Sequence, residues 1–135
     1  MLHIAISTAG KLGRPYWRDA CAEYVKRLKP FCKLEFIKTH DTDQPRWVDN
    51  HYAIAVTPKG KRMSSEVFAK ALTGEVPRIC FYIGGSDGLS AEFVKRCNTT
   101  LSLSDMTFTH SLARVLLLEQ LYRGFQILNN TAYHK

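Results

Sequence analysis

Three stretches of this chain carry residue types able to do chemistry. The first is a glycine-rich turn, Gly84-Gly85-Ser86-Asp87-Gly88-Leu89-Ser90, entered directly from the β-branched and aromatic run RICFYI at 78–83. Paired glycines at a strand's end let a ligand approach the backbone, and a helix starting near Ser90 adds free N–H groups. The spacing matches neither G-x-G-x-x-G nor the phosphate-loop pattern, so a plain strand-to-helix turn stays open beside a ligand site. The second stretch is Ser104-Asp105-Met106-Thr107-Phe108-Thr109-His110. Its mixture of polar and large apolar residues can wall a pocket for a flat, partly apolar ligand such as an adenosine. Met106 and Phe108 can equally be core plugs, and His110 a cap or a packed histidine. The third is the tail, Tyr133-His134-Lys135, with Arg114 and Arg123 in the segment before it. Together these offer phosphate and base contacts, as RNA recognition requires. A frayed, solvated end is the plain alternative. So is an intrahelical ion pair between Glu119 and Arg123, four residues apart.

These stretches must be positioned by regular elements, and the hydrophobic periods define them. Short apolar or alternating runs predict strands at 2–7, 33–38, 52–57, 78–83 and 99–103. Apolar residues three and four apart predict a helix at 16–28, opened by Pro15 and stopped by Pro30. Ser64 and Ser90 are suited to cap helices reaching about residue 72 and residue 97. Residues 39–51 are polar, contain Pro45 and show no helical period, which predicts a loop. A long final helix spans about 111–128. Its apolar residues extend round more than one face, which predicts a homodimer covering the surplus. The alternation of strand and helix defines an α/β fold with a mostly parallel sheet and flanking helices. At 135 residues the chain suits a single domain covering 1–135.

Composition narrows the classes further. The uninterrupted aliphatic runs are far too short for a membrane span, and no signal-peptide pattern opens the chain, so a soluble cytoplasmic protein without membrane contact is expected. Nineteen Lys and Arg against twelve Asp and Glu leave a net charge of +7. Such an excess draws a protein toward polyanions, or serves solubility alone. Cys21, Cys32, Cys80 and Cys97 lack C-x-x-C spacing and a nearby His pair, so no metal site is expected. Cys21 and Cys80 fall where small apolar fillers belong.

The motifs, taken in order, resemble a known family. They include Ile83 to Ser90, Leu101-Ser102-Leu103-Ser104, Met106-Thr107-Phe108, His110, Arg114-Val115-Leu116, Glu119 to Arg123 and terminal Tyr133-His134-Lys135. N-terminal pieces match as well: Ala9-Gly10-Lys11-Leu12, Tyr16-Trp17, Glu23-Tyr24, Lys26-Arg27-Leu28, Gly60-Lys61 and Ser64-Ser65-Glu66. The chain resembles the small SPOUT-class methyltransferases, and among them the family that methylates N3 of a pseudouridine in large-subunit ribosomal RNA. The resemblance implies a C-terminal trefoil knot, an obligate homodimer and S-adenosylmethionine as cofactor. It implies cofactor contacts from Val56, Gly85, Ser104, Asp105, Met106, Thr107, Phe108 and Thr109. It adds Arg123, Tyr133 and His134 as a catalytic group reaching across the dimer, with Arg114 and Lys135 toward the RNA. In that group His134 would take the N3 proton or Arg123 would stabilise charge on the flanking carbonyls, while Tyr133 stacks on the base. Two departures stand out: residues 39–51 replace a longer insert, and Thr109 replaces a common proline, which is expected to loosen the loop slightly. Two competing readings are a non-catalytic RNA-binding or ribosome-assembly factor with the same fold, and an enzyme binding a nucleotide's phosphates at Gly84-Gly85.

Overall fold

A computed structural model describes residues 1–10, 13–39 and 43–135. Lys11 and Leu12 of the N-terminal motif, and residues 40–42 of the expected loop, lie outside the described residues. Nine elements follow in order: β1 (Leu2–Thr8), α1 (Pro15–Leu28), β2 (Cys32–Ile37), β3 (Tyr52–Val56), α2 (Ser65–Lys70), β4 (Arg78–Ile83), α3 (Ala91–Arg96), β5 (Thr99–Leu101) and α4 (His110–Leu128). The strands form one sheet in the order β2-β1-β4-β3-β5, and every pairing is parallel. The α/β expectation therefore holds, with element ends shifted by a residue or two. The fifth strand is shorter than expected, ending at Leu101 rather than 103.

The central strands are buried on both faces, which explains why they read as continuous apolar runs rather than alternating ones. One face is covered by α1, α2 and α4, whose Leu28, Phe68, Leu117, Leu118 and Leu121 pack on Ile4, Ile6, Ile79 and Phe81. The other face carries α3 and the segment around residues 44–50. There Trp47 stacks on Tyr82 with ring centroids 5.1 Å apart and an interplanar angle of 3°. The backbone N–H of Val48 donates to the Tyr82 hydroxyl at 2.8 Å. The Arg96 guanidinium lies 4.0 Å above the Trp47 ring. So this part of the expected loop, residues 44–50, is a loop that forms the second layer over β4 together with α3. Its lack of helical period left that packing role invisible.

Local signals account for the helix ends. Pro15 occupies the first turn of α1. Ser64, Ser90 and Thr109 each accept a hydrogen bond from a backbone N–H in the first turn of α2, α3 and α4. Thr109 thus supplies a cap that a proline side chain could not, which offsets the lost restraint on φ. In α4, Gly124 lets the helix lie close on α2: a β-carbon there would stand 2.6 Å from Leu72 Cδ1.

The surplus apolar surface of α4 is largely covered within one chain. The helix packs on the sheet and between α1 and α2, leaving Leu112, Val115, Leu116 and Tyr122 half-buried and Leu128 alone among its apolar residues exposed. The breadth of its apolar surface follows from having three neighbours rather than one. The four cysteines are free; Cys21, Cys32 and Cys80 are buried singly in the core. Burial pushes the Cys32 and Cys80 thiols up to about 11, as apolar filler thiols should be.

Candidate functional site

The carboxyl ends of β3 and β4 open into a cleft of about 540 Å³. Its walls include Val56, Ile83, Leu103 and Phe108; its rim is the backbone of Gly84, Gly85 and Ser86 opposite Ser104 and Thr107 to His110. This is where open α/β sheets place ligands, because the diverging loops leave a crevice there. Gly84 is dictated by the turn: a β-carbon would stand 2.4 Å from the carbonyl carbon of Gly88 and 2.5 Å from the Leu89 nitrogen. The turn is closed by the Gly88 N–H donating to the Gly85 carbonyl at 3.0 Å. Across the cleft the Ser104 hydroxyl accepts from the Met106 N–H at 3.0 Å, and buried Ser102 donates toward the Pro58 and Ser104 carbonyls. The loop is therefore shaped by its own hydrogen bonds before any ligand enters.

Of the expected cofactor residues, Val56, Gly85, Ser104, Met106, Thr107, Phe108 and Thr109 all line this cleft. Asp105 is not among its lining residues; its carboxylate turns outward to an exposed ion pair with Arg62 at 3.0 Å. Sequence reasoning missed Ile83, Leu103, Pro58 and Ala113, whose apolar side chains complete the walls. Nothing in their types marks them as anything but core. Among the described residues, neither Lys nor Arg lines the cleft.

The tail residues gather elsewhere. Glu119, in the middle of α4, accepts hydrogen bonds from the Tyr133 hydroxyl at 2.7 Å, Arg123 Nε at 2.8 Å and the Tyr24 hydroxyl at 3.0 Å. Burial alone would push its carboxyl up, but these three donors together outweigh it and hold the carboxyl below its usual range. Burial, then the bond to Glu119, pushes the Tyr24 phenol up to about 12. Arg123 lies over the Tyr133 ring at 4.8 Å, and Tyr133 meets Tyr122 edge-on at 4.9 Å. Arg123 Nη1 reaches His134 Nδ1 at 3.0 Å, and His134 Nε2 reaches Glu66 Oε1 at 2.6 Å. The tail is docked on α4 and α2, so the frayed-end alternative does not describe Tyr133 and His134. Lys135 is exposed. The anchors Glu66 and Tyr24 were legible only as parts of motifs, without a role.

Arg114 occupies a third place. It lines a cleft of about 840 Å³ between α1 and the ends of β1 and β2, with Arg18, Lys26, Lys29 and Lys38 around it. Its guanidinium lies 5.6 Å from the centre of the Phe36 ring, its Nε is buried without a hydrogen-bond partner among the described residues, and burial lowers its pKa. A desolvated cation costs stability unless it is paired, and among the described residues no carboxylate pairs with Arg114, so the position favours an incoming anion.

None of Arg123, Tyr133 and His134 lines the cleft at the ends of β3 and β4 of the same chain. Along α4, Arg123 stands about 20 Å beyond His110 at the rise of a helix. One chain thus separates the cleft from the tail cluster.

A parallel sheet of this order, with a cleft walled by the segment leading into the last helix, defines an α/β protein with an open site at its strand ends. The family description "predicted SPOUT methyltransferase" matches residues 2–134, and the chain belongs to that family. It is 39% identical to the "Ribosomal RNA large subunit methyltransferase H" of Clostridium beijerinckii over 160 aligned residues, covering 99% of this chain and all of that protein. Proteins of the same name from Clostridium kluyveri and Clostridium botulinum are 38% and 40% identical with the same coverage. Among solved structures, a probable methylase family protein from Haemophilus influenzae superposes with a TM-score of 0.59 at 12% identity. That likeness covers 98% of this chain and 69% of the other, and it shows the fold.

Proposed function

We propose that this chain is an S-adenosylmethionine-dependent methyltransferase acting on N3 of a pseudouridine in large-subunit ribosomal RNA. One observation carries the cofactor half of this reading: the cleft at the ends of β3 and β4, in a chain of a methyltransferase family, has the size and lining such a cofactor needs. Its volume lies in the ordinary range for small-molecule sites, and its walls are apolar where a purine face would rest. The exposed backbone of Gly84, Gly85 and the loop from Ser104 supplies donors and acceptors for the purine edge and the amino-acid portion. Without Lys or Arg in its described lining, the cleft is poorly made for a triphosphate, which disfavours the nucleotide-phosphate reading. When bound, the sulfonium group supplies an activated methyl, so the protein's task is alignment.

The acceptor half rests on the named relatives, on the +7 charge and on the tail cluster. Arg123 can stabilise charge on the carbonyls flanking N3, and Tyr133 offers an aromatic face to the base. Arg114 and Lys135 would contact RNA phosphates. Because the tail stands so far from the cleft of its own chain, a complete site requires a second copy whose tail crosses over. This supports a homodimer with composite sites; the family resemblance adds a C-terminal segment threaded as a trefoil knot, and the named relatives support work beside cytoplasmic ribosomes.

The test is calorimetric binding of S-adenosylmethionine, followed by labelled methyl transfer to ribosomes that lack the modification. Expected are binding and one methyl group per ribosome. RNA binding without cofactor binding would establish the assembly-factor reading instead.

A further inference from the structure

The docking of His134 contains chemical information that its proximity to Arg123 alone does not. Arg123 is a donor only, since a guanidinium has no free lone pair at working pH. Its Nη1 stands 3.0 Å from His134 Nδ1, so Nδ1 is the acceptor and carries no hydrogen. The imidazole hydrogen must then sit on Nε2, which points at Glu66 Oε1 at 2.6 Å. The carboxylate of Glu66 accepts it, and that hydrogen bond is the largest cause holding the Glu66 carboxyl below its usual range. A neutral imidazole has one lone pair, and here it is spent on Arg123.

We propose that Glu66 is a positioning residue for the tail: it fixes His134 in the Nε2–H tautomer, so that His134 orients the Arg123 guanidinium and does not serve as the base for the substrate proton. This deepens the proposed methyltransferase reading and rests on it for its functional consequence. The chain of contacts runs from α2 through the tail to α4. Glu66 holds His134, His134 holds Arg123 Nη1, and Glu119 holds Arg123 Nε at 2.8 Å. With Nε and Nη1 both engaged, the guanidinium plane is set from two sides, and its remaining N–H groups can be directed at a substrate carbonyl. Neither carboxylate needs to touch the substrate. A protonated His134 would place two donors face to face at Nδ1 and Arg123, so the docked geometry belongs to the neutral ring. The charged or titratable groups in contact with His134 are Glu66 from α2 and Arg123 from α4, with Tyr133 and Lys135 beside it in the chain.

Long-range ¹H–¹⁵N correlation on the ¹⁵N-labelled full chain reads the tautomer of His134 directly. At pH 7.5 the expected spectrum is that of a neutral ring with hydrogen on Nε2; an Nδ1–H or doubly protonated ring would overturn the proposal. Kinetics on ribosomes lacking the modification then test the consequence. Glu66→Ala is expected to lower kcat about tenfold through misorientation of the guanidinium. Its KM for ribosomes and its affinity for S-adenosylmethionine should stay unchanged. Glu66→Gln keeps an acceptor oxygen and should recover most of the lost rate. An unchanged kcat in Glu66→Ala would overturn the positioning role. If the unaltered protein methylated no RNA, the functional reading would fail while the tautomer measurement still decided the latch.

Discussion

Glu119 is the point on which the tail depends, and removing its charge should release the tail before it unfolds the domain. Its carboxylate accepts from Tyr133, Arg123 and Tyr24 within 2.7 to 3.0 Å, and its side chain is 19% exposed. Hydrogen bonds to a charged group contribute about 1.5–3 kcal/mol each when buried, and less where solvent reaches them. Glu119→Gln keeps one acceptor oxygen but presents an amide to a donor, so a cost of about 2 kcal/mol is expected, and about 3 kcal/mol for Glu119→Ala. Urea denaturation at fixed protein concentration measures both. A double-mutant cycle isolates the tail's part: Tyr133→Phe should cost about 1 kcal/mol in the unaltered chain and close to nothing beside Glu119→Ala. Equal costs in both backgrounds would refute the hub. The sign with pH is fixed by the same contacts. A carboxyl held below its ordinary value contributes stability that is present above the unfolded value and lost as pH falls through the folded one. Tail docking should therefore weaken in acid below about pH 4.3, the ordinary glutamate value.

Other perturbations follow from single contacts. Gly84→Ala forces a β-carbon into the Gly88 backbone, so the turn must shift; S-adenosylmethionine affinity by calorimetry should fall at least about tenfold, a loss of about 1.4 kcal/mol. Trp47→Ala removes the ring stacked on Tyr82 and under Arg96, and should cost about 2 kcal/mol in urea denaturation because the ring is only half-buried. Arg114→Met removes a desolvated cation whose Nε has no hydrogen-bond partner among the described residues, and should stabilise the fold by about 1 kcal/mol. The same change should weaken binding to ribosomal RNA and flatten its salt dependence, measured by filter binding.

The strands and helices were legible because their signals are local. Pro15, Ser64 and Ser90 announce helix starts, and the run RICFYI can only be a buried strand. The loop that walls the cleft was legible by composition, since Met106 and Phe108 between polar residues are unusual in a connection. The outward turn of Asp105 was not legible, because spacing along a loop does not fix which way each side chain turns, and its carboxylate pairs with Arg62, forty-three residues away. What covers the broad α4 apolar surface was not legible in the sequence for a related reason. A count of apolar residues cannot say whether the cover comes from α1 and α2 or from another chain.

By itself the sequence determined the order of elements, the parallel class of the sheet and the glycine-rich turn that follows β4. These depend on backbone sterics and on hydrophobic period, which act between near neighbours. Only the tertiary structure decided that Trp47 stacks over Tyr82, that Arg114 Nε is buried without a hydrogen-bond partner among the described residues, and that Glu66 holds His134 across sixty-eight residues of chain. It also separated the tail from the cleft along a rigid helix. Contacts of that kind depend on where the sheet brings distant segments together, and no local pattern records them.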